Sequence, residues 1–520
     1  MSFRIGIDVG GTNTDAVILD NHYNVIAETK TPTTEDVSSG IYKAMHEVIT
    51  SSNVPRPQIK YAMLGTTHAT NAIVERKRLN SIAIIRLGAP ATLAVKPLIG
   101  TPDDLREKLG DHVYIIRGGH EFDGREIASL DEDELYKIAR EIKDKVDSVA
   151  VTSVFSPVAR DHEQRASEIL REVLGMDLPV SLSSEIGSVG LLERENATIL
   201  NAAIVNVTKA IVTGFTNALN EEGIDAKVFL GQNDGTLMSV DYALKYPILT
   251  VACGPTNSLR GASYLSGFSD AIVVDVGGTT TDVGVLVGSF PRESSIAVEI
   301  GGARTNFRMP DLVSVGLGGG TIIRIEENGE FTIGPDSVGY QLTEKAFVFG
   351  GDTLTATDIV VALGKAQIGD PSKVQHLDKD LLKKIYVEMI RKVEEAVDRM
   401  KTSAEPVPVI IVGGGSILLP DSLEGASEVI RPNNQGVANA IGSAIAQVSG
   451  QVERVFSLDE LGREKTIELA KQMAIDEAVK AGADKNSCNI VDIEDVPLAY
   501  LPGNATRIRA KAAGELAGEV

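Results

Sequence analysis

The stretch "VVDVGGTTTDVGVLVG" (residues 273–288) restates one met near the N-terminus, "GIDVGGTNTDAVIL" (residues 6–19). Both carry D-V-G-G-T-x-T-D, from Asp8 to Asp15 and from Asp275 to Asp282. Neither copy is a Walker A loop, which needs G-K-[ST] after its glycines. Neither is a dinucleotide fingerprint, which needs G-x-G-x-x-G opening a helix. The residues after the glycines keep a strand pattern, so each copy reads as a β-hairpin with glycines at its tip. Gly10, Gly11, Gly277 and Gly278 are expected to supply the positive φ of a tight turn and to let a phosphate approach the backbone. Thr12, Thr14, Thr279 and Thr281 offer hydroxyls to the same ligand, with Asn13 and Thr280 between them. Asp8 and Asp275, each ending a strand, can orient the hydrated Mg²⁺ that a polyphosphate demands. One copy alone is compatible with an ordinary turn, whereas two copies sharing seven positions predict paired jaws.

The bulk composition agrees with a small-ligand protein. The chain has 520 residues, 43 % hydrophobic and 23 % charged, enough for two or three domains with real cores. Its net charge is −22, from 50 basic and 72 acidic residues, with a pI near 4.9. No basic surplus exists to release phosphate counterions, which excludes a nucleic-acid partner. Only Cys253 and Cys488 occur, so a disulfide framework is excluded and a reducing compartment is expected. The opening "MSFRIGIDVGG" has no basic-then-apolar signal, and no apolar run approaches the roughly 18 residues of a membrane span. A cytoplasmic protein without a membrane partner is the expectation.

Strand and helix patterns alternate along the chain, which predicts an α/β protein. Residues 1–178 hold the first hairpin, the strands "IKYAMLG", "SIAIIRLG" and "SVAVTSVFS", and the amphipathic helix "VARDHEQRASEILREVLG". Residues 179–450 hold a long helical stretch from Gly190, the second hairpin, a periodic helix from Asp378 and the strand "VPVIIVGGGS". Residues 451–520 are expected as a small α+β segment: a helix capped by a Ser457–Glu460 capping box, then short strands from Asn489. The internal repeat predicts two related halves around a cleft.

Two such hairpins, followed by a strand running into Gly413, Gly414, Gly415 and Ser416, resemble the sugar-kinase, actin and heat-shock ATPase superfamily. The resemblance implies duplicated ribonuclease-H-like (actin/hexokinase-like) halves around a nucleotide cleft, with ATP and Mg²⁺ as cofactors. It also implies that the hairpins grip the phosphates while the late glycine turn holds the adenosine. Six further stretches are similar to the hydantoinase A and 5-oxoprolinase family: "LGTTHATNAIVERK", "LERENATILNA", "GPTNSLRGA", "PDLVSVGLGGGTI", "DTLTATDIVVALG" and "NNQGVANAIGSA". They fall in family order over residues 1–450. Such proteins use ATP to open cyclic amides such as 5-oxoproline and hydantoins, and relatives serve as subunits of ATP-dependent carboxylases. The chemistry has a physical reason: phosphorylating a lactam carbonyl oxygen makes a good leaving group and exposes the carbon to water, so positioning and charge stabilisation are the main tasks.

On this resemblance Asp8, Asp275, Asp311 and His68 are the candidate catalytic residues, with Asp8 and Asp275 also the metal ligands. Gly318, Gly319, Gly320 and Thr321 are expected to donate N–H groups to phosphate or to a developing oxyanion. His68, with Thr66, Thr67 and Asn71, sits at a strand-to-helix turn, where a capping role is equally open. Glu193, Arg194 and Asn196 read either as ligands or as a charged helix face, and "GGHEFDGRE" reads as a hairpin with His120 and Asp123 as alternative ligands. Cys253 reads as a buried small residue, with no paired base to activate it. The sequence departs from the family pattern at "CGPTNS", usually close to S-G-P-A-G-G, and at "GGGT", usually G-G-G-S. Only residues 451–520 follow the family core. The expectation is therefore the ATP-using subunit of a two-component amidohydrolase, with a cyclic amide as substrate and a second catalytic subunit as partner. The oligomeric state is left open. Alternatives are the ATP-using subunit of a carboxylase and a non-metabolic ATP-gated switch.

Overall fold

Strands Phe3–Val9 and Asn13–Leu19 flank the first glycine turn, and nearly every residue in them is buried. Their alternating side chains serve two cores. Ile5, Ile7 and Val9 pack on Ile41, Met45 and Val48 of helix Val37–Ser52. Val17 and Leu19 pack on Ala440, Ile441 and Ala444 of helix Ala438–Ile445. Covering both faces of a sheet with helices requires apolar residues on both sides of each strand, as found here. The structure is a computed structural model and describes residues 2–34, 37–294, 298–307, 309–499, 501 and 503–518.

Around this hairpin a nine-stranded mixed sheet is ordered Val25–Pro32, Asn13–Leu19, Phe3–Val9, Ile59–Thr66, Lys227–Gly231, Leu237–Ser239, Val448–Ser457, Ala505–Gly514 and Asn489–Pro497. The first three strands form an antiparallel meander. Phe3–Val9 then runs parallel to Ile59–Thr66, and that strand parallel to Lys227–Gly231. A second sheet repeats the pattern as Phe290–Pro291, Thr281–Val287, Ala271–Val276, Val407–Val412 and Ala426–Ile430. Its glycine hairpin is antiparallel and its Val407–Val412 neighbour parallel. The registers match too, since Asp8 lies opposite Asp15 and Asp275 opposite Asp282. The expected duplicated ribonuclease-H-like halves are present.

A third sheet was not separable by pattern. Strands His112–Arg117, Ile82–Ala89, Ser148–Ser153 and Val180–Leu182 are all parallel and form their own layer, whose last strand lies past the expected boundary at residue 178. Helices Glu132–Ile142 and Asp161–Leu174 cover one face, and helix Leu191–Ala203 covers the other. Fully buried parallel strands read as continuous apolar runs whichever sheet they join. Arg86, on the inserted sheet, meets Glu195 of the covering helix through Nε–Oε1 at 2.7 Å and Nη2–Oε2 at 2.5 Å, both side chains fully buried.

Residues 451–520 are α+β as expected, but their strands are hydrogen-bonded into the first sheet. Ala470, Ala474 and Ala478 lay helix Arg463–Lys480 against it. Ser457 does not cap the helix, and the side chain of Glu460 lies outside the described residues. The Ser457 hydroxyl donates to the Gly503 carbonyl at 3.1 Å, and the chain breaks at Gly462, φ +77°, before the long helix starts. The helical stretch from Gly190 is likewise two helices, Leu191–Ala203 and Val205–Glu221, bent by 43°. No single helix among the described residues is long and apolar enough to cross a membrane.

Two helices cross between the halves. Helix Ala438–Ile445 presses on the first sheet, where a Cβ on Gly6 would lie 2.5 Å from the Ala440 carbonyl oxygen. Helix Cys253–Ser266 places Leu259 and Ala262 on Val273 and Leu286 of the second sheet. Where the helices meet, a Cβ on Gly261 would lie 1.8 Å from the Ala438 carbonyl oxygen. One on Gly442 would lie 1.8 Å from that of Asn257.

Candidate active site

The two glycine tips meet. A Cβ on Gly278 would lie 2.6 Å from the Thr12 side chain, so the jaws close to van der Waals contact only because that position is bare. Beneath them lies a cavity of about 480 Å³. It gathers Asp8, Gly10, Gly11, Thr12 and Asn13 from the first hairpin, and Asp275, Gly277, Gly278, Thr279 and Thr280 from the second. Gly413, Gly414, Gly415 and Gly319 complete the walls. The turns are built alike, with Gly10 N–H donating to the Asn13 carbonyl at 3.0 Å and Gly277 N–H to that of Thr280 at 2.9 Å. None of the four tip glycines takes a positive φ, contrary to expectation. Their role is room: around a Cβ on Gly11 nothing lies within 4 Å, leaving the tip open to a ligand.

Each aspartate is seated by a glycine at the end of the neighbouring parallel strand, Gly65 within Ile59–Thr66 and Gly413 just after Val407–Val412. A Cβ on Gly65 would lie 2.1 Å from Asp8 Oδ1, and one on Gly413, φ +88°, 2.3 Å from Asp275 Oδ1. The crossing helices then supply amides and a hydroxyl. Asn257 Nδ2 donates to Asp8 Oδ1 at 3.3 Å, and Asn439 Nδ2 to Asp8 Oδ2 at 2.9 Å and to Asp15 Oδ2 at 2.8 Å. Ser258, next to Asn257, bonds to Asp275, so one helical turn addresses both halves. Lys30 Nζ lies 2.5 Å from Asp15 Oδ1.

The carboxylates outnumber their cation. Burial, and then the Asp15 charge, push Asp8 up to about 6; burial pushes Asp282 up to about 6 against a hydrogen bond from Ser314. Burial also raises Asp15, partly offset by Lys30, and raises Asp275, partly offset by Ser258. Four acids sharing one lysine in a desolvated cleft have proton affinities raised because ionised charge there is undercompensated. A divalent cation would supply that compensation, so the donor set fits Mg²⁺ with oxygen ligands. The motifs contain Asp15, Asp282, Asn257, Ser258 and Asn439 but gave them no role at the site, and Lys30 lies outside every motif.

Other expected site residues lie elsewhere. Thr14 and Thr281 are fully buried behind the tips. Thr281 donates to the Leu317 carbonyl at 2.6 Å, and Thr14 faces Thr33 at 3.4 Å. The N–H groups of Gly319 and Gly320 donate to the carbonyls of Gly277 and Gly278, and that of Gly318 to Thr321 Oγ1. This loop therefore braces the second hairpin from behind, and only Gly319 reaches the cavity. Ser416 is buried beyond the late turn, its carbonyl accepting from Arg431 at 3.0 Å. Asp311 stands outside the cleft, paired with Arg292 at 2.7 Å. His68 does not line the cavity, although Thr67 and Asn71 do. Its Nδ1 bonds to Thr66 Oγ1 at 2.7 Å, and burial lowers its proton affinity. Arg194 and Asn196 are joints between segments, with Arg194 donating to the Ser153 and Ser188 carbonyls and Asn196 to that of Arg304. Burial, with the Asp8 charge, pushes the Cys253 thiol up to about 12.

His120 belongs to a different group, with Glu126, Asp161 and His162, whose ligand atoms lie within 4.8 Å of one another. Hydrogen bonds occupy His162, whereas His120 Nδ1 is buried without a partner and its Nε2 lies 3.2 Å from Asp161. His162 Nδ1 accepts from Gly119 N–H at 3.0 Å, so the neutral ring carries its proton on Nε2, 3.2 Å from Glu126 Oε1. A neutral imidazole has one lone pair, and here Gly119 occupies it. Asp123 pairs with Arg125 at 2.7 Å.

Duplicated ribonuclease-H-like halves closing on two glycine-tipped hairpins define the actin/hexokinase-like ATPase fold. The chain belongs to the hydantoinase/oxoprolinase family: the model of its N-terminal region matches residues 4–174 and the hydantoinase/oxoprolinase model residues 194–397. It is 28 % identical over 394 residues to the acetophenone carboxylase gamma subunit of Aromatoleum aromaticum, covering 69 % of this chain and 53 % of the relative. It is 24 % identical over 391 residues to the caprolactamase subunit alpha of Pseudomonas jessenii, covering 70 % and 54 %. The chain thus spans about half the length of these curated relatives. The solved ATP-dependent caprolactamase of P. jessenii shares the fold, with a TM-score of 0.79 at 18 % identity over 99 % of this chain and 88 % of that one.

Proposed function

We propose that this chain binds Mg·ATP between its hairpins and uses it to open the ring of a cyclic amide, as the nucleotide-handling subunit of a two-component enzyme. The observation that carries the proposal is the cleft itself, in which two touching glycine tips enclose four desolvated carboxylates with one lysine. When bound, Mg·ATP would supply the phosphoryl group that activates the ring carbonyl. Asp8 and Asp275, facing each other across the pseudo-repeat, would hold the cation. Thr12, Asn13, Thr279 and Thr280 would bond the phosphate oxygens, while Gly11 keeps the approach open. Asn257 and Asn439 orient Asp8 so that its oxygens stay ionisable and aimed, a positioning role. Gly413, Gly414 and Gly415, which line the cavity beside Asp275, would present their backbone to the nucleoside. Thr67 and Asn71, at the first-half end of the cavity, are the groups available to the amide ring.

A second reading, the ATP-using subunit of a carboxylase, is favoured by the likeness to the acetophenone carboxylase gamma subunit. One assay separates the two. ADP release is followed with hydantoins, 5-oxoproline and larger lactams, then with ketones plus bicarbonate, each with and without a co-purified partner chain. Stimulation by a cyclic amide without bicarbonate supports ring opening; stimulation only by ketone with bicarbonate replaces it. If no cyclic amide stimulates ADP release under any pairing, the reading is wrong.

A further inference from the structure

A second cavity, of about 400 Å³, lies away from the hairpins where three parts of the chain meet. Arg160 comes from the inserted sheet, just before helix Asp161–Leu174. Tyr242 and Tyr246 come from the segment after Leu237–Ser239. Phe307 comes from the second half, and Arg454 from strand Val448–Ser457. Four acids line its walls: Asp241 is exposed to solvent, Glu453 accepts from Ser188 and lies 3.5 Å from Arg507, and Glu185 and Glu477 are held by neighbours. Glu185 accepts from Lys245 at 3.0 Å and from Tyr246 at 3.1 Å. Glu477 accepts from Lys480 at 2.7 Å and from Tyr242 at 3.4 Å. The two arginines are different. Arg160 donates one bond, to the Ser184 carbonyl at 3.0 Å, and its Nε is buried without a partner. Arg454 has a buried, unpartnered Nε, and among the described residues no hydrogen bond or ion pair reaches its guanidinium. Burial, and then the Arg160 charge, push Arg454 down to about 10. A half-buried guanidinium beside a second one, with no hydrogen-bond acceptor and only the charge of Glu477, itself paired with Lys480, to offset the repulsion, is an unfavourable arrangement that an anion would relieve. Ile248 and Phe307, also in the lining, are buried and the Tyr242 and Tyr246 rings sit 4.7 Å apart, giving an apolar wall.

We infer that this cavity is a binding site for a small organic carboxylate, its carboxylate bridging Arg160 and Arg454 and its carbon body lying against Ile248, Phe307 and the two tyrosine rings. Planar guanidiniums match a carboxylate through paired N–H···O bonds, and an apolar wall with a few convergent polar groups is the usual build of a small-ligand pocket. Occupancy would tie the inserted sheet to the extended first sheet. The inference stands independently of the reading of the hairpin cleft.

The test uses the full chain at fixed ionic strength, with acetate, hexanoate, benzoate and inorganic phosphate as probes. Binding is measured by calorimetry, and unfolding by circular dichroism because the chain has no tryptophan. Hexanoate or benzoate is expected to bind wild type and to raise its melting temperature. Arg454→Met and Arg160→Met are each expected to weaken that binding at least tenfold. Without probe, Arg454→Met should melt at or above wild type, because an unpaired charge has been removed, and its affinity for a fluorescent ATP analogue should be unchanged. Arg454→Lys, retaining charge without the fork, should bind with intermediate affinity. Binding by none of the four anions, binding of phosphate alone, or equal binding by wild type and both methionine variants would each overturn the inference.

Discussion

Gly261→Ala puts the joint between the halves under direct test. The new Cβ would lie 1.8 Å from the Ala438 carbonyl oxygen and 2.6 Å from its carbon. Both obstacles are backbone, so no rotamer change removes them. Favourable non-bonded contact begins at about 3.5 Å, which requires the two helices to part by roughly 1.5 Å. Alanine for glycine inside a helix contributes about 1 kcal/mol of stability on its own. Overpacking against an unyielding backbone costs about 3 kcal/mol, so the clash wins and a net loss of about 2 kcal/mol is expected. The same movement carries Asn257 and Asn439 away from Asp8, stretching bonds of 3.3 and 2.9 Å beyond hydrogen-bonding range. A bond to a charged group is worth about 1.5–3 kcal/mol, so Mg·ATP affinity should fall at least tenfold. Urea unfolding gives the first quantity and calorimetric titration of nucleotide the second. An alanine variant as stable as wild type, with unchanged nucleotide affinity, would refute the reasoning.

Three further outcomes are expected. Asp8 holds its proton up to about 6, against 3.8 for an ordinary aspartate, so the folded chain binds that proton more tightly than the unfolded chain. Ligand-free stability should therefore fall by up to about 3 kcal/mol as pH rises from about 4 to about 6 and then level off, while Mg·ATP binding strengthens over the same interval. Unfolding and titration between pH 4.5 and 8 check this, and two flat profiles contradict it. Arg86→Met leaves Glu195 buried without its partner and should cost about 3–5 kcal/mol, most of it regained in Arg86→Met/Glu195→Leu; a double variant no better than the single one argues against the pair. Thr281→Val should lose about 1 kcal/mol of stability yet keep nucleotide affinity, because its hydroxyl serves Leu317; a marked affinity loss would put that hydroxyl back in the cleft.

The hairpins were legible because their chemistry is local: aspartate, glycines and hydroxyls fall within eight consecutive positions, twice. Their alternation of strand and turn residues sets the register without help from the rest of the chain. What escaped reading was tertiary. Lys30 reaches Asp15 across a ladder, and Asn257 and Asn439 reach Asp8 only because glycines let two helices approach. A signal for the amides was present, an asparagine among small residues in "CGPTNSLRGA" and "NNQGVANAIGSA", but its target depended on helix packing. Thr14 and Thr281 lie buried behind the tips for a related reason. In a strand buried on both faces, hydroxyl-bearing side chains can turn inward as readily as toward the turn. The loop at Gly318, Gly319 and Gly320 looked like an anion nest because sequence cannot say which carbonyls its N–H groups will meet.

The long first sheet has a consequence for how the protein is made. Its earliest strand begins at Phe3, yet Leu237–Ser239 waits for Val448–Ser457, and Arg4 Nη1 donates to the Ala444 carbonyl 440 residues away. The second sheet draws only on strands between Ala271 and Ile430. During synthesis the later half can therefore complete its sheet while the earlier half still presents an unpaired edge at Leu237–Ser239. Exposed edges recruit other chains, so the emerging polypeptide is open to misassembly until Val448–Ser457 leaves the ribosome. The half translated first is the half finished last.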